Sequence, residues 1–377
     1  MTTFSNSPDP QQRTDSHPNK KQSQKFEGFD FLRAVFALLI IAIHSNLFTL
    51  KIGSSSIASI LSANVAYLAV PVFFQISLFL FYIKSEKVGS SYFFQKRLPK
   101  LVSLYLFWVI SKIVFDILLT GKSESLQNST TSIRAFIEFI VSGGNSPLYF
   151  FFSLAFITGL TEVVIFGLRR TQKTSLRRII IYSSLVASCI LVFIFSLLRL
   201  PGTIENATGV VRVASSIAQW DYNPLNFLPY IFTTVLVVEE FNAEQLKSMN
   251  SEIKTRLYVL LSLFMTFAIY EWNLRQDLLH YSRLSLVFGS WLLLYLALLS
   301  TRKVPAAVQF ISGCSLGLYT FHLFFTHGVF EKYPNLFTPL AKVIPGLDIL
   351  IIFFITSVAS VLLTLLFRRV KYLKDFV

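Results

Sequence analysis

Long apolar segments separated by short polar loops dominate the chain from Phe29 onward. A helix needs about 20 mostly apolar residues to cross the roughly 30 Å hydrocarbon core of a bilayer. Helices are the expected form, because backbone polar groups inside a bilayer must be paired within the segment. The sequence therefore predicts an all-α, polytopic transmembrane helix bundle of about ten spans. The predicted spans are 31–50, 64–83, 101–119, 147–168, 179–199, 224–238, 257–272, 284–300, 306–328 and 347–367.

Composition agrees with a membrane protein and excludes two other classes. Only 14% of the residues are charged, whereas a soluble domain carries about 25%. With 53% hydrophobic residues, the chain as a whole cannot be intrinsically disordered. A net charge of +14 suggests nucleic acid in a soluble protein, but in a membrane protein excess cations mark cytoplasmic loops. We therefore expect no nucleic-acid partner.

The distribution of charge predicts how the chain crosses the membrane. If the N-terminus is inside, the inner segments hold 24 of the 34 basic residues and 10 of the 20 acidic residues. The whole positive excess then lies on one side, which predicts an even number of spans with both termini in the cytoplasm. The inner segments are 1–33, 84–100, 169–178, 239–256, 301–303 and 368–377.

The chain divides into three predicted parts. Residues 1–26 are polar and rich in Ser, Gln and Pro, which predicts a disordered cytoplasmic tail rather than a signal peptide. Residues 27–370 form the membrane domain, and residues 371–377 form a short basic cytoplasmic tail. The sixth span is short and contains Pro224 and Pro229, so both a continuous and a broken helix are compatible with it. The spacing of Cys and His predicts no metal site.

Arg33 and His44 are the ionisable pair that most suggests chemistry, because such groups are costly inside a span. Eleven helical steps return to within about 20° of the starting direction and rise about 16 Å. Both side chains therefore share one face, with Arg33 near the cytoplasmic edge and His44 deeper. Asp30 suits the N-cap and a pair with Arg33. The purely structural alternatives are a topological anchor for Arg33 and an interhelical hydrogen bond for His44.

Other charged residues have simpler explanations. Glu162 lies in the fourth span, where a carboxylate needs a partner or orients a catalytic group. Lys112 and Asp116 are four residues apart and are expected to neutralise one another. Asp277, His280 and Arg283 are expected in an outer loop, where an ordinary solvated loop is favoured over contact with an acceptor.

Five motifs resemble those of one membrane enzyme family. FDFLRAVFALLIIAIHS resembles the opening helix of the acyltransferase-3 family of integral-membrane O-acyltransferases, in which Arg, ten residues and His follow one another. VPVFFQISLFLF is similar to its second-helix stretch, with Ser77 retained and Leu78 in the position of a Gly. YFFQKRLPKLVSLYLFW resembles the family's basic motif, here with Lys96, Arg97 and Lys100. SPLYFFFSLAF resembles its fourth-helix element, with Tyr149 in the position of a Trp. SLGLYTFHLFF resembles its penultimate-helix element, with Tyr319 and His322 aligned, and all five motifs occur in the family's order.

The resemblance implies an activity. An acyl-CoA, most simply acetyl-CoA, would be the co-substrate, with no tightly bound cofactor, and the acceptor would be a hydroxyl of a cell-envelope carbohydrate or polysaccharide. CoA is a cytoplasmic polyanion, so cations at the cytoplasmic mouth suit it. The resemblance assigns this binding to Arg33, Lys96, Arg97 and Lys100.

His44, with Arg33, would then be catalytic. A neutral imidazole can take the proton of the attacking hydroxyl, and a transient acyl-His is the alternative. The resemblance also implies a multi-pass protein of the bacterial plasma (inner) membrane. A secondary transporter or flippase of ten spans is the competing interpretation, and the sequence makes no prediction of oligomeric state. Supporting roles are expected for Asp30, Ser77, Tyr149, Glu162, Tyr319 and His322.

Overall fold

The computed structural model describes residues 26–50, 55–200, 208–220, 222–247, 249–274 and 278–377, and these contain helices and no β-strand. The all-α fold is confirmed. All but the last residue of the predicted tail, 1–26, lies outside the described residues. In chain order the α-helices are α1 (Glu27–His44), α2 (Ser55–Asn64), α3 (Ala69–Val88), α4 (Leu98–Thr120), α5 (Glu124–Ser129), α6 (Ile133–Ser142), α7 (Tyr149–Arg170), α8 (Thr174–Leu198), α9 (Gly209–Ala218), α10 (Leu228–Asn242), α11 (Ser251–Leu274), α12 (Leu284–Leu299), α13 (Ala306–Phe324), α14 (Phe330–Lys332), α15 (Thr338–Val343) and α16 (Leu347–Arg369).

Each of the ten predicted spans coincides with a helix, namely α1, α3, α4, α7, α8, α10, α11, α12, α13 and α16. Within the described part of the chain, seven helices are long and apolar enough to cross a membrane. The others are α1, with 18 residues and three charged side chains, and the shorter α10 and α12, with 15 and 16 residues. A multi-pass membrane bundle is confirmed, while ten crossings and cytoplasmic termini stay predictions.

The bounds of α3 and α10 have physical explanations. A 3-10 turn at Ala66–Leu68 precedes α3, which continues past the apolar stretch until Gly89, whose φ of 92° ends it. A 3-10 turn at Pro224–Phe227 likewise precedes α10, and Pro229 lies in its first turn. Proline is tolerated there because its missing N–H has no intrahelical partner to lose. The sixth helix is therefore continuous through Asn242.

Contacts between distant segments define two ends of the bundle. At one end, Val304 N donates to a carboxylate oxygen of Glu27 at 3.0 Å, and Arg169 Nη2 donates to Ser85 O at 2.7 Å. We call this the basic end, because the cationic loops after α3 and α7 lie there. The opposite end contains His44 and the segments around α6 and α9, and we call it the histidine end.

Small residues bring the helices around the site into close contact. A Cβ on Gly28 of α1 would overlap the backbone of Ala297 on α12, and a Cβ on Gly317 of α13 would overlap the side chain of Thr364 on α16. Interfaces between membrane helices favour such residues, because van der Waals contact replaces the hydrophobic effect there. These contacts hold α1 against α12 and α13 against α16. α1 and α13 also pack directly along one another, and the candidate site lies along their shared face.

The expectation of a solvated loop around Arg283 is wrong. Arg283 is fully buried, and its Nε donates to Glu271 Oε2 at 2.9 Å. Its other nitrogens donate to Ala63 O at 2.7 Å and Asn64 Oδ1 at 2.5 Å. His280 is buried as well, and Asp277 lies outside the described residues. This network joins α2, α11 and α12 at the histidine end, because a buried guanidinium must satisfy its donors within the protein.

The expected pair in α4 is confirmed. Lys112 Nζ lies 2.6 Å from Asp116 Oδ1, and both side chains are partly buried. Because the two residues are four apart, their side chains meet on one helix face and their charges cancel. No free charge is left there to suggest a function.

Candidate active site

The face of α1 that carries Arg33 and His44 borders two cavities. Arg33 lines a large cavity that reaches the basic end, and His44 lines a small cavity at the other end of the helix. Asp30 is not the N-cap, because α1 begins at Glu27 with Phe26 in that position. It instead lies in the first turn, where the helix dipole favours a carboxylate, and it interacts electrostatically with Arg33 and accepts from Ser312 Oγ at 2.8 Å.

The large cavity, which we call the basic cavity, has a volume of about 490 Å³ and is enclosed by α1, α3, α4, α7 and α13. Arg33, Arg97 and Lys100 line it, with Asp30 as the acidic residue among its walls. Three cations against one carboxylate give the cavity a net positive charge, which favours anions. Lys96 is exposed and does not line the cavity, so the fourth predicted CoA contact is separated from the other three.

A local change in helix type turns Arg97 inward. Phe93–Arg97 forms a π-helical turn immediately before α4. From there Arg97 Nη2 donates to Ser77 Oγ, while its Nε has no hydrogen-bond partner among the described residues. The motif residue Ser77 thus positions the guanidinium against the cavity. A π-helical turn within an α-helix commonly marks a functional position.

The small cavity, which we call the histidine cavity, has a volume of about 100 Å³. Besides His44, its polar walls are four tyrosines at the histidine end and Tyr319 on the side of the basic cavity. Tyr319 lines both cavities, and its hydroxyl donates to Pro147 O at the start of α7. Tyr149 is buried and stacks on Tyr222 with ring centroids 4.4 Å apart. The four tyrosines are Tyr67, Tyr149, Tyr222 and Tyr281.

Tyr281 reaches the histidine cavity from the loop before α12. Burial raises the pKa of its hydroxyl above the ordinary value, and the neighbouring hydroxyl of Tyr67 acts in the same direction. The group therefore stays protonated at neutral pH. Protonated phenols around His44 can donate hydrogen bonds to a bound substrate without adding negative charge.

Three histidines meet at the end of α1. His44 Nδ1 lies 2.9 Å from His327 Nε2, and the rings of His44 and His322 have centroids 5.1 Å apart. His322 Nδ1 lies 3.0 Å from Leu318 O, so this nitrogen carries the proton. The motif residue His322 therefore packs beside His44, while His327, absent from the predicted site, forms the direct hydrogen bond.

A π-helical turn explains why His327 was missed. In a regular α-helix, His322 and His327 would point about 140° apart and could not both face α1. Residues Phe325–Val329 instead form a π-helix, in which residues five apart lie nearly above one another. Periodicity alone gives no signal for this change.

Glu162 has a structural partner and lies away from both cavities. Its Oε2 accepts from Ser85 Oγ at 2.7 Å, and its Oε1 lies 4.0 Å from Arg169 Nη1. Glu162 lines neither the basic cavity nor the histidine cavity. Its geometry follows the first of the two predicted alternatives, a carboxylate with partners, here on α3 and on α7 itself.

Comparison with known proteins gives one match. The sequence model of the acyltransferase-3 family, described as an acyltransferase domain, matches residues 26–369. The matched segment begins just before α1 and ends with α16, so it contains both cavities. No curated protein and no solved structure matches the chain.

Proposed function

Because the chain belongs to the acyltransferase-3 family and is a membrane acyltransferase, we propose that it transfers an acyl group, in the simplest case acetyl, from acyl-CoA to a hydroxyl of a cell-envelope carbohydrate. The observation that carries this proposal is the arrangement along α1. A cationic cavity at one end and a histidine-lined cavity at the other share the wall made by Tyr319. The proposed location is the bacterial plasma membrane, with the basic end in the cytoplasm.

The basic cavity suits the donor. CoA carries several phosphate charges, and a guanidinium can bind a phosphate through two parallel hydrogen bonds. Arg33 and Arg97 are half-buried, so their charges are screened less than those of exposed side chains. Lys100 adds a third charge at the exposed mouth. Lys96, outside the cavity, contributes only a screened attraction.

His44 is the proposed general base. Its Nδ1 is engaged by His327 Nε2, which leaves His44 Nε2 for the substrate when His327 accepts the Nδ1 proton. As the acceptor oxygen bonds to the thioester carbonyl carbon, His44 Nε2 takes the hydroxyl proton. The C–S bond then breaks, and the departing CoA sulfur receives that proton, which restores the neutral imidazole.

An acyl-His44 intermediate is the alternative chemistry. In that route Nε2 attacks the thioester, CoA leaves first, and the acceptor hydroxyl displaces the imidazole in a second step. Rapid acid quenching with labelled acetyl-CoA and no acceptor distinguishes the two. Label that stays on the protein, and is absent from His44→Gln, supports the covalent route.

Family membership supports the enzyme over the transporter alternative, and a direct test is available. Membranes with and without the chain are incubated with labelled acetyl-CoA, and the envelope polysaccharide is isolated and counted. We expect label in polysaccharide only when the chain is present, and its release by mild alkali would identify an ester. Equal labelling of every glycan fraction in both membranes would contradict the proposal.

A further inference from the structure

A third cavity of about 420 Å³ lies at the histidine end between the two short helices α6 and α9. It belongs to neither the basic cavity nor the histidine cavity, and we call it the loop cleft. Its lining is mostly polar, with two aromatic rings. The side chains lining it include Arg134, Glu138, Asn145, Gln219, Trp220 and Tyr222.

The walls of the loop cleft are held in place before any ligand binds. Ser132 caps α6 by accepting from Ala135 N at 3.1 Å. Arg134 Nη2 donates to Ser216 Oγ at 3.0 Å and so ties α6 to α9, while Arg199 Nη1 donates to Ala218 O at 3.0 Å and ties α9 to the end of α8. Such preorganisation lowers the entropic cost of binding.

The chemistry of the lining favours an uncharged polyhydroxyl ligand. Arg134 Nε lies 2.9 Å from Glu138 Oε1, so the two charges in the cleft neutralise one another. An anion such as a phosphate needs an excess of cations, which this lining lacks. Amide groups of Asn145 and Gln219 both donate and accept, as a sugar hydroxyl does. The Trp220 ring offers an apolar surface for the C–H face of a pyranose.

The loop cleft adjoins the proposed reaction centre. Tyr222 lines both the loop cleft and the histidine cavity that contains His44. On the other face, Tyr222 stacks on Tyr149. A chain of sugars bound in the loop cleft would thus pass the ring of Tyr222 before it reached His44.

We propose that the loop cleft binds a neutral glycosyl unit of the acceptor, next to the unit whose hydroxyl reaches His44. This inference rests on the proposed function for the identity of the acceptor. It adds a binding site that the five sequence motifs do not include, since Asn145, Gln219 and Trp220 all lie outside them. The cleft would hold the glycan while its neighbouring unit reacts.

The test removes the cleft side chains and measures glycan binding and transfer separately. The full chain in lipid nanodiscs is titrated with solubilised polysaccharide from the host's cell envelope, and binding is followed by co-sedimentation. Gln219→Ala removes an exposed amide and Asn145→Gly keeps the left-handed backbone at φ 53°. Gln127→Ala on α5 is the matched control, because Gln127 is exposed at the same end and does not line the cleft.

We expect each cleft variant to raise the Kd for polysaccharide by about tenfold or more, and Trp220→Ala to raise it most. Trp220→Phe should recover much of the binding, since it keeps an aromatic face, and it guards against misfolding of the Ala variant. In turnover assays the KM for polysaccharide should rise by a similar factor while the KM for acetyl-CoA does not. Periodate oxidation, which destroys the diols of sugar rings and keeps charged substituents, should abolish binding to the wild-type chain.

The outcomes separate the two proposals. Wild-type affinity in both Gln219→Ala and Asn145→Gly, or full binding of the oxidised polysaccharide, overturns the loop cleft as the acceptor site. A rise in the KM for acetyl-CoA alone would do the same. If the cleft variants weaken polysaccharide binding but the wild-type chain never labels any glycan, the loop cleft stands as a glycan-binding site and the proposed acyl transfer is refuted.

Discussion

Replacing Arg97 by Gln should weaken the binding of acyl-CoA more than any comparable change in the exposed cationic loop. Arg97 lines the basic cavity and is fixed by Ser77, whereas its neighbour Lys96 is exposed and outside the cavity. Arg97→Gln and Lys96→Gln remove the same charge one residue apart. The pair therefore isolates the effect of cavity placement from that of net charge.

The expected magnitude follows from the proposed charge-assisted hydrogen bond between the Arg97 guanidinium and a CoA phosphate, since a glutamine amide can donate only a neutral hydrogen bond. A hydrogen bond to a charged group contributes about 1.5–3 kcal/mol, and each 1.4 kcal/mol changes an affinity about tenfold. Arg97→Gln should accordingly raise the Kd for acetyl-CoA by about ten- to a hundredfold. An exposed charge contributes about 0–1 kcal/mol, so Lys96→Gln should raise the Kd by less than about fivefold.

Binding of acetyl-CoA to the nanodisc-embedded chain can be measured by isothermal titration calorimetry at 0.05 and 0.3 M salt. The weak effect of Lys96→Gln should vanish at the higher salt, because exposed charges are screened. The effect of Arg97→Gln should persist there. Equal losses of affinity in the two variants, or a larger loss with Lys96→Gln, would refute the assignment of the basic cavity to the donor.

Three further outcomes can be checked with single variants. His44→Gln should lower kcat for acetyl transfer by about 10²–10⁴-fold while acetyl-CoA still binds, and a near-native kcat would exclude a base or nucleophile at this position. His327→Phe removes the hydrogen bond to His44 and should lower kcat about two- to tenfold with an unchanged KM for acetyl-CoA; an unchanged kcat would show that His327 only packs. Glu271→Gln leaves buried Arg283 without its charge partner and should destabilise the fold by about 3–5 kcal/mol, which a lower Tm in detergent would show. As the control, Lys122→Gln, which breaks an exposed ion pair, should leave Tm unchanged.

The sequence was most informative where one helix decides the geometry. The spacing of Arg33 and His44 depends only on the regular rotation of α1, and both side chains border cavities along one face as expected. Apolar length likewise predicted the positions of ten helices, because the cost of unpaired backbone groups in a bilayer leaves few alternatives.

Helix irregularities limited the prediction of side-chain directions. The basic motif contains Lys96, Arg97 and Lys100, and the π-helical turn before α4 includes Lys96 and Arg97, of which Arg97 alone lines the cavity. The π-helix at Phe325–Val329 similarly brings His327 to His44. These turns depend on packing between helices, which a residue pattern along one chain segment does not encode.

The sequence also did not predict contacts between segments that are far apart in the chain. Arg283 reads as a solvated loop residue because polar neighbours surround it in the chain. Its partners Glu271 and Asn64 are fixed only when α2, α11 and α12 meet. The loop cleft has the same origin, since α6 and α9 lie far apart in the sequence and are joined by the bond from Arg134 to Ser216.

The Tyr319 ring between the two cavities also bears on the permeability of the membrane. A chain with an aqueous recess at each end would leak ions if the recesses merged, and such a leak would dissipate the electrochemical gradient that the membrane maintains. Tyr319 lies at the point where they would merge, anchored by Pro147 O. A tight constriction formed by an aromatic ring excludes hydrated ions. The proposed acyl transfer between substrates at opposite ends would thereby be compatible with a bilayer that does not conduct ions.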